Sequence, residues 1–199
     1  MIVSGGEATI GPGMEWAEKR AEAILSSVPE YVWDGESLPV PVDDIVDSVF
    51  GLHVRDVEDM TKAPECPPLE EGQSLSGLLL PEDRQIWCNA SEGVQWPPRR
   101  RFTIAHELGH WILHEPGQQK LFCRRATLAP DQDPAATTDD QRPPLPEIEQ
   151  EANAFAAALL MPARLIERHY YDTGRDFERL CELFSSSQAA MGKRLRAVI

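Results

Sequence analysis

The chain has 199 residues, 42% hydrophobic and 26% charged, with 19 Lys and Arg against 33 Asp and Glu for a formal net charge of −14. That length makes one domain, or one plus a tail, able to bury roughly 70% of its unfolded surface, and the composition excludes collagen-like, coiled-coil and wholly disordered chains. The acidity argues against nucleic acid as a partner, because it repels phosphate backbones at long range, and favours a basic protein or basic segment.

No apolar run approaches the ~18 residues a membrane span needs; the longest covers residues 155–161. The first residues lack a basic region followed by an apolar stretch, so no secretory signal is expected. Cys66, Cys88, Cys123 and Cys181 are widely spaced and form no C-x-x-C pair. Together these features predict a cytoplasmic protein with reduced, structural thiols.

In chain order, residues 1–14 are Gly-rich and polar and read as a flexible N-terminus. Ala17, Ala21, Ile24, Leu25 and Val28 then recur on one face of a helix over residues 16–28. Pro41 opens a second helix with the stripe Val42, Ile45, Val46 and Val49, and Gly51 stops it. Strand patterns follow at residues 52–57, 75–80 and 84–89; the last two flank Pro81-Glu82-Asp83 and so predict a hairpin. Pro97 and Pro98 introduce a helix through about His114. Residues 115–146 read as a long Pro- and Asp-rich loop without regular structure, and Pro146 starts a helix that ends near Met161-Pro162. Three short helices, about 162–171, 176–184 and 187–198, complete the chain. The class is α+β, with a small N-terminal β-sheet, a single domain over residues 15–198 and a helical C-terminus.

The chemistry concentrates in His106-Glu107-Leu108-Gly109-His110. Residues four apart on a helix are ~6 Å and ~40° from each other, so two imidazoles of an H-E-x-x-H segment reach one zinc ion at ~2 Å. Glu107, beside them, can take a proton from water held by the metal. Ala105, Leu108 and Ile112 give this helix a buried face. His114 lies eight residues after His106, ~12 Å further along a continuous helix, too far to share the ion; it reads as a packing or supporting residue.

A third protein ligand is needed. Glu151 is the candidate, at the edge of the stripe Ile148, Ala152, Phe155 and Leu159, with Glu147 further round and Glu149 pointing away. A carboxylate turned toward an apolar interior requires compensation, which an ion supplies. The alanines at 152, 154 and 156–158 suit two closely packed helices.

Arg101-Phe-Thr-Ile-Ala-His106-Glu107-Leu-Gly-His110 and Glu151-Ala-Asn153-Ala-Phe155-Ala-Ala-Ala-Leu-Leu-Met161-Pro162 together resemble the ImmA/IrrE family of zinc metallopeptidases. Weaker echoes are Ser76-Gly77, residues 86–89, Cys123-Arg124, residues 184–190 and Arg194-Leu195. The resemblance implies a zincin-like fold, one Zn2+ held by His106, His110 and Glu151, and Glu107 as catalytic base. It also implies a protein substrate: members typically cleave a helix-turn-helix transcriptional repressor and so switch on stress-response or mobile-element genes. The acidic, Pro-rich connection before Glu147 departs from that pattern.

The donor that would stabilise the oxyanion has no assignment among His53, His169, Tyr170 and Tyr171, and residues 84–89 are a candidate sheet edge for an added substrate strand. Two other readings are a non-hydrolytic partner of a regulator, as in a toxin–antitoxin pair, and a DNA-binding regulator. The second rests on a faint helix-turn-helix pattern at 176–196 with Lys193, Arg194 and Arg196, in a tail carrying seven basic and five acidic residues. Arg99-Arg100-Arg101 reads as a solvated face or a contact for substrate carboxylates.

Overall fold

The computed structural model describes residues 12–63, 66, 73–114, 122–126 and 145–199. Residues 12–14, expected to be flexible, open helix α1 (Pro12–Ser27); the remainder of the expected flexible segment lies outside the described residues. Ala17, Ala21 and Ile24 of α1 are buried, as their spacing requires. Helix α2 (Val42–Phe50) ends where Gly51 takes a left-handed conformation (φ +60°), one a side chain rarely tolerates. Arg84 covers that end, donating to the carbonyls of Phe50 and Gly51.

Strands β1 (His53–Val57), β2 (Gln73–Leu80) and β3 (Gln85–Asn89) precede helices α3 (Ala90–Gln95) and α4 (Pro97–Leu113). The hairpin expected at Pro81-Glu82-Asp83 is present, β2 and β3 pairing antiparallel. Strand β4 (Phe122–Ala126) pairs antiparallel with β2, so the stretch expected to lack regular structure contributes a strand. The rest of that connection, 115–121 and 127–144, lies outside the described residues.

The sheet order is β1-β3-β2-β4. Because β1 joins β3 in parallel, β3 is interior, and the expectation that residues 84–89 form a free edge is corrected: the edges are β1 and β4. Strand alternation sends Leu79, Ile86 and Cys88 to the main core and Leu78 and Leu80 to a smaller cluster with Met60 and Ala63 on the opposite face.

Helix α5 (Glu147–Leu160) packs against both α4 and α1, burying Phe155 and Leu159 completely. Helices α6 (Ala163–Asp172), α7 (Phe177–Phe184) and α8 (Gln188–Val198) close the fold. Asp176 and Ser187 cap the last two, accepting from the backbone N–H of Arg179 and Ala190. Buried Arg194 ties α8 to the rest, donating to the Met161 carbonyl at 2.9 Å and pairing with Glu18 of α1 at 2.8 Å.

Candidate metal centre

Helix α4 carries the site because one face is apolar and its polar residues are nevertheless interior. Ile104, Ala105 and Leu108 are fully buried; His106, Glu107 and His110 are buried beside them. Two close approaches make room for this. A Cβ at Gly109 would stand 3.2 Å from Ala152 Cα and from the Phe155 ring, so α4 and α5 meet almost backbone to backbone. A Cβ at Gly77 of β2 would collide with Thr103 and lie 3.0 Å from Glu107 Oε1, so the glycine lets the helix settle onto the sheet over that carboxylate.

The α4–α5 contact brings polar groups of α5 to the histidines. His106 Nδ1 meets Asn153 Oδ1 at 3.1 Å. The amide oxygen only accepts, so Nδ1 carries the proton and Nε2 presents its lone pair. That Nε2 lies 3.0 Å from His110 Nε2 and 3.2 Å from Glu149 Oε2, and Glu149 Oε1 lies 3.3 Å from His110 Nε2. His106 and His110 side chains are 2% exposed and Glu149 is 20% exposed.

Among the described residues these three form a group able to share a metal ion. Four tetrahedral donors ~2.0–2.1 Å from zinc stand about 3.3 Å apart, close to the separations seen. The donor chemistry agrees: a lone pair on His106, a facing ring nitrogen on His110 and a carboxylate converge, an arrangement that repels itself until protons or a cation occupy it.

Burial holds His110 below the usual histidine range, with the neighbouring His106 acting in the same direction against the bond to Glu149. A ring kept neutral is the form that ligates a metal. Burial raises the Glu149 carboxyl, but when the two rings are protonated their bonds and charge outweigh this and hold it well below the ordinary carboxylate range; with the rings neutral, that compensation has to come from another cation.

The structure therefore brings His106 and His110 together as the spacing implies, with the Glu107 carboxylate buried beside Gly77 of β2, but places a different glutamate with the histidines. Glu149, expected to point away, reaches both histidines; Glu151, expected there, bonds His114 Nε2 at 3.1 Å instead. The reason is that α5 has two partners. Its α4 face carries Glu149, Ala152, Asn153 and Ala156, spaced i, i+3, i+4 and i+7, while Glu151 turns toward α1, where a Cβ at Gly13 would collide with its Oε1. The i, i+4 pair Glu149 and Asn153 was the available signal for what a single apolar stripe concealed.

Other sequence candidates fall elsewhere. His53 pairs with Asp47 at the surface, His169 packs edge-on against Phe184, and Tyr170 and Tyr171 contact each other. The arginine run is structural: Arg99 pairs with buried Glu92, Arg100 with Asp43 and Asp56, and Arg101 donates to the Val40 carbonyl. Arg194, one of three basic residues behind the DNA-binding reading, is buried and bonded within the fold.

Fold and site together define an α+β domain of the zincin-like type, with its H-E-x-x-H segment on a helix sandwiched between the sheet and a second helix. The chain belongs to the Peptidase_M78 family, the IrrE N-terminal-like domain, whose model matches residues 84–196, more than half of the sequence and all of the site. No curated protein matches it. A solved structure of similar fold is a Mycobacterium tuberculosis transcriptional regulator, 20% identical with a TM-score of 0.51; the match covers 94% of this chain and 47% of that one. The present chain thus spans about half the length of that regulator. Among the described residues no helix is long and apolar enough to cross a membrane.

Proposed function

We propose that the protein is a zinc-dependent endopeptidase in which His106, His110 and Glu149 hold one Zn2+ and Glu107 is the catalytic base. The carrying observation is the convergence of three metal-binding side chains within 3.0–3.3 Å of one another, one residue along the helix from a buried carboxylate. Zinc in that position would supply Lewis acidity, polarising a peptide carbonyl and making water a better nucleophile at neutral pH. Glu107 accepts the proton of the attacking water and returns it to the departing amine. His106 and His110 are held in place by α4, and Asn153 fixes the tautomer of His106.

The substrate we propose is a helix-turn-helix transcriptional repressor, cut so that the genes it silences are expressed in a cytoplasmic response. Family membership and the chain's acidity, suited to the basic surface of a DNA-binding protein, support this. The test is incubation of the zinc-loaded protein with helix-turn-helix repressors of the same genome, any encoded beside it first, followed by mass spectrometry. Wild type should yield two fragments. Glu107→Gln should retain zinc and lose about 10²–10⁴-fold in cleavage rate. Cleavage by Glu107→Gln at the wild-type rate would end the general-base assignment. A repressor bound but intact after prolonged incubation with wild type would favour a non-hydrolytic partner.

A further inference from the structure

Two half-buried polar residues, His114 and Glu151, take no part in the mechanism above. His114 closes α4 as its C-cap in an extended conformation (φ −116°, ψ 143°), which turns its ring off the helix end. Its side chain is 10% exposed and that of Glu151 is 17% exposed. The contacts form a line running away from the metal ligands: His110 Nδ1 to His114 Nδ1 at 3.0 Å, then His114 Nε2 to Glu151 Oε2 at 3.1 Å. The line ends where the other oxygen of Glu151 abuts Gly13 in the first turn of α1.

Proton accounting gives this line a direction. A carboxylate only accepts, so His114 carries its proton on Nε2 and donates it to Glu151. A neutral His114 then has a bare Nδ1, which bonds His110 Nδ1 only if that nitrogen holds a proton. His110 is thereby left with its lone pair on Nε2, the nitrogen that faces His106 and Glu149. The reverse order would set a lone pair of His114 against the Glu151 carboxylate. In the empty site the same rule acts from the other side, where the bare His106 Nε2 and the Glu149 carboxylate favour a proton on His110 Nε2; a cation held there would remove that conflict and leave the order set by Glu151.

We infer that Glu151 and His114 are positioning residues, a two-member relay that holds His110 through its Nδ1 side and so aims its Nε2 at the metal position. The inference rests on the metallopeptidase reading, because a cation at that position is what would free His110 Nε2 of a proton. Glu151→Gln is the informative variant, because it keeps the shape and replaces an oxygen by an NH2 donor. Glu151→Gln can accept from His114 Nε2 through its uncharged amide oxygen, a weaker bond, or donate through its NH2, which opposes the wild-type proton order; either way the hold on His110 is loosened.

The experiment uses the full chain with two readouts. The first is nitrogen-15 NMR of the imidazoles in zinc-loaded protein at about pH 8, above the ordinary histidine range. Wild type should show His114 protonated on Nε2, and Glu151→Gln should show a mixture of the two His114 tautomers. The second is zinc affinity by chelator competition. Glu151→Gln should bind about ten- to a hundredfold more weakly, the usual effect of losing a residue that supports a ligating histidine. His114→Phe should weaken binding in the same range, and the double variant should be no weaker than His114→Phe, since the two act in series. Zinc affinity within twofold of wild type in His114→Phe would overturn the relay and leave the metallopeptidase reading standing. A wild type that takes up no zinc would end the metallopeptidase reading and the relay with it.

Discussion

At the N-terminal end of α4, three consecutive arginines each meet an acceptor. Arg100 makes a two-pronged bond to Asp56, at 2.7 and 3.2 Å, and reaches Asp43 at 2.8 Å; Arg99 pairs with Glu92 and Arg101 with the Val40 carbonyl. Further along the same helix, His106 and His110, also buried, are presented to each other and to Glu149. The first end is closed: every cation faces an anion or a carbonyl, and positive charge at a helix N-terminus, unfavourable by itself, is offset by aspartates. The second end gathers acceptors around a point. The histidine end is withdrawn from solvent, while Arg100 and its two aspartates are partly exposed. What separates a clamp from a socket is whether donors outnumber acceptors, and only the socket gains from an added cation.

The sharpest way to break this contrast is to remove the carboxylate that makes the socket. Glu149→Gln should weaken zinc binding more than about a hundredfold, beyond the range seen when a supporting residue is lost. It should also cut the stabilisation that zinc gives wild type, about 4 kcal/mol at a thousandfold excess over Kd, to about 1.4 kcal/mol or less at the same zinc concentration. Chelator competition and thermal unfolding with and without zinc check both. Equal zinc affinity in Glu149→Gln and wild type would return the third ligand to Glu151.

A second variant acts through the packing that seats the socket. Gly77→Ala puts a methyl into Thr103 and against Glu107. The expected cost is about 1–3 kcal/mol, the usual cost of overpacking, read as a lowered midpoint in thermal unfolding of the metal-free protein. An unchanged midpoint would show that α4 can lift from β2 without loss.

The clamp supplies the control. Arg100→Met leaves Asp43 and Asp56 without their cation and should cost about 1–2 kcal/mol, as for a partly exposed charge-assisted pair. Zinc affinity should stay within twofold of wild type. A large fall in affinity would mean that the two ends of α4 are coupled.

This contrast also explains which features were legible in the sequence. His106, Glu107 and His110 could be placed together because they belong to one helix, whose geometry is fixed by local bonds. The α-helices of the C-terminal third and the β2–β3 hairpin were legible for the same reason, through caps and turn residues. The third carboxylate was not, because α5 is wedged between α4 and α1 and a single apolar stripe cannot say which flank faces which neighbour. The parallel pairing of β1 with β3, which makes β3 interior, depends on residues some thirty positions apart and leaves no local mark. Strand β4 carries Arg124 and Arg125 in place of an alternating apolar pattern, and its pairing with β2 decides its conformation. The three arginines look like a solvated face from their charge alone; their charged partners come from α2, β1 and α3.

The smallest expected effect is also the most selective. Gly13→Ala adds one methyl in the first turn of α1, remote in sequence from every ligand, and the atom it meets is Glu151 Oε1. The far end of a glutamate can move aside, so the fold should tolerate the change; alanine favours a helix over glycine by up to about 1 kcal/mol. Displacing that carboxylate should loosen its bond to His114 and weaken zinc binding by about two- to fivefold, below the ten- to hundredfold loss of a supporting bond outright. Stability and affinity thus move in opposite directions, which general damage to the fold cannot produce, since damage lowers both. Calorimetric unfolding and zinc competition on the same preparation read the two signs. A stabilised protein with unaltered affinity would show that the carboxylate keeps its hold on His114 from more than one position, and that α1 takes no part in aiming the metal ligands.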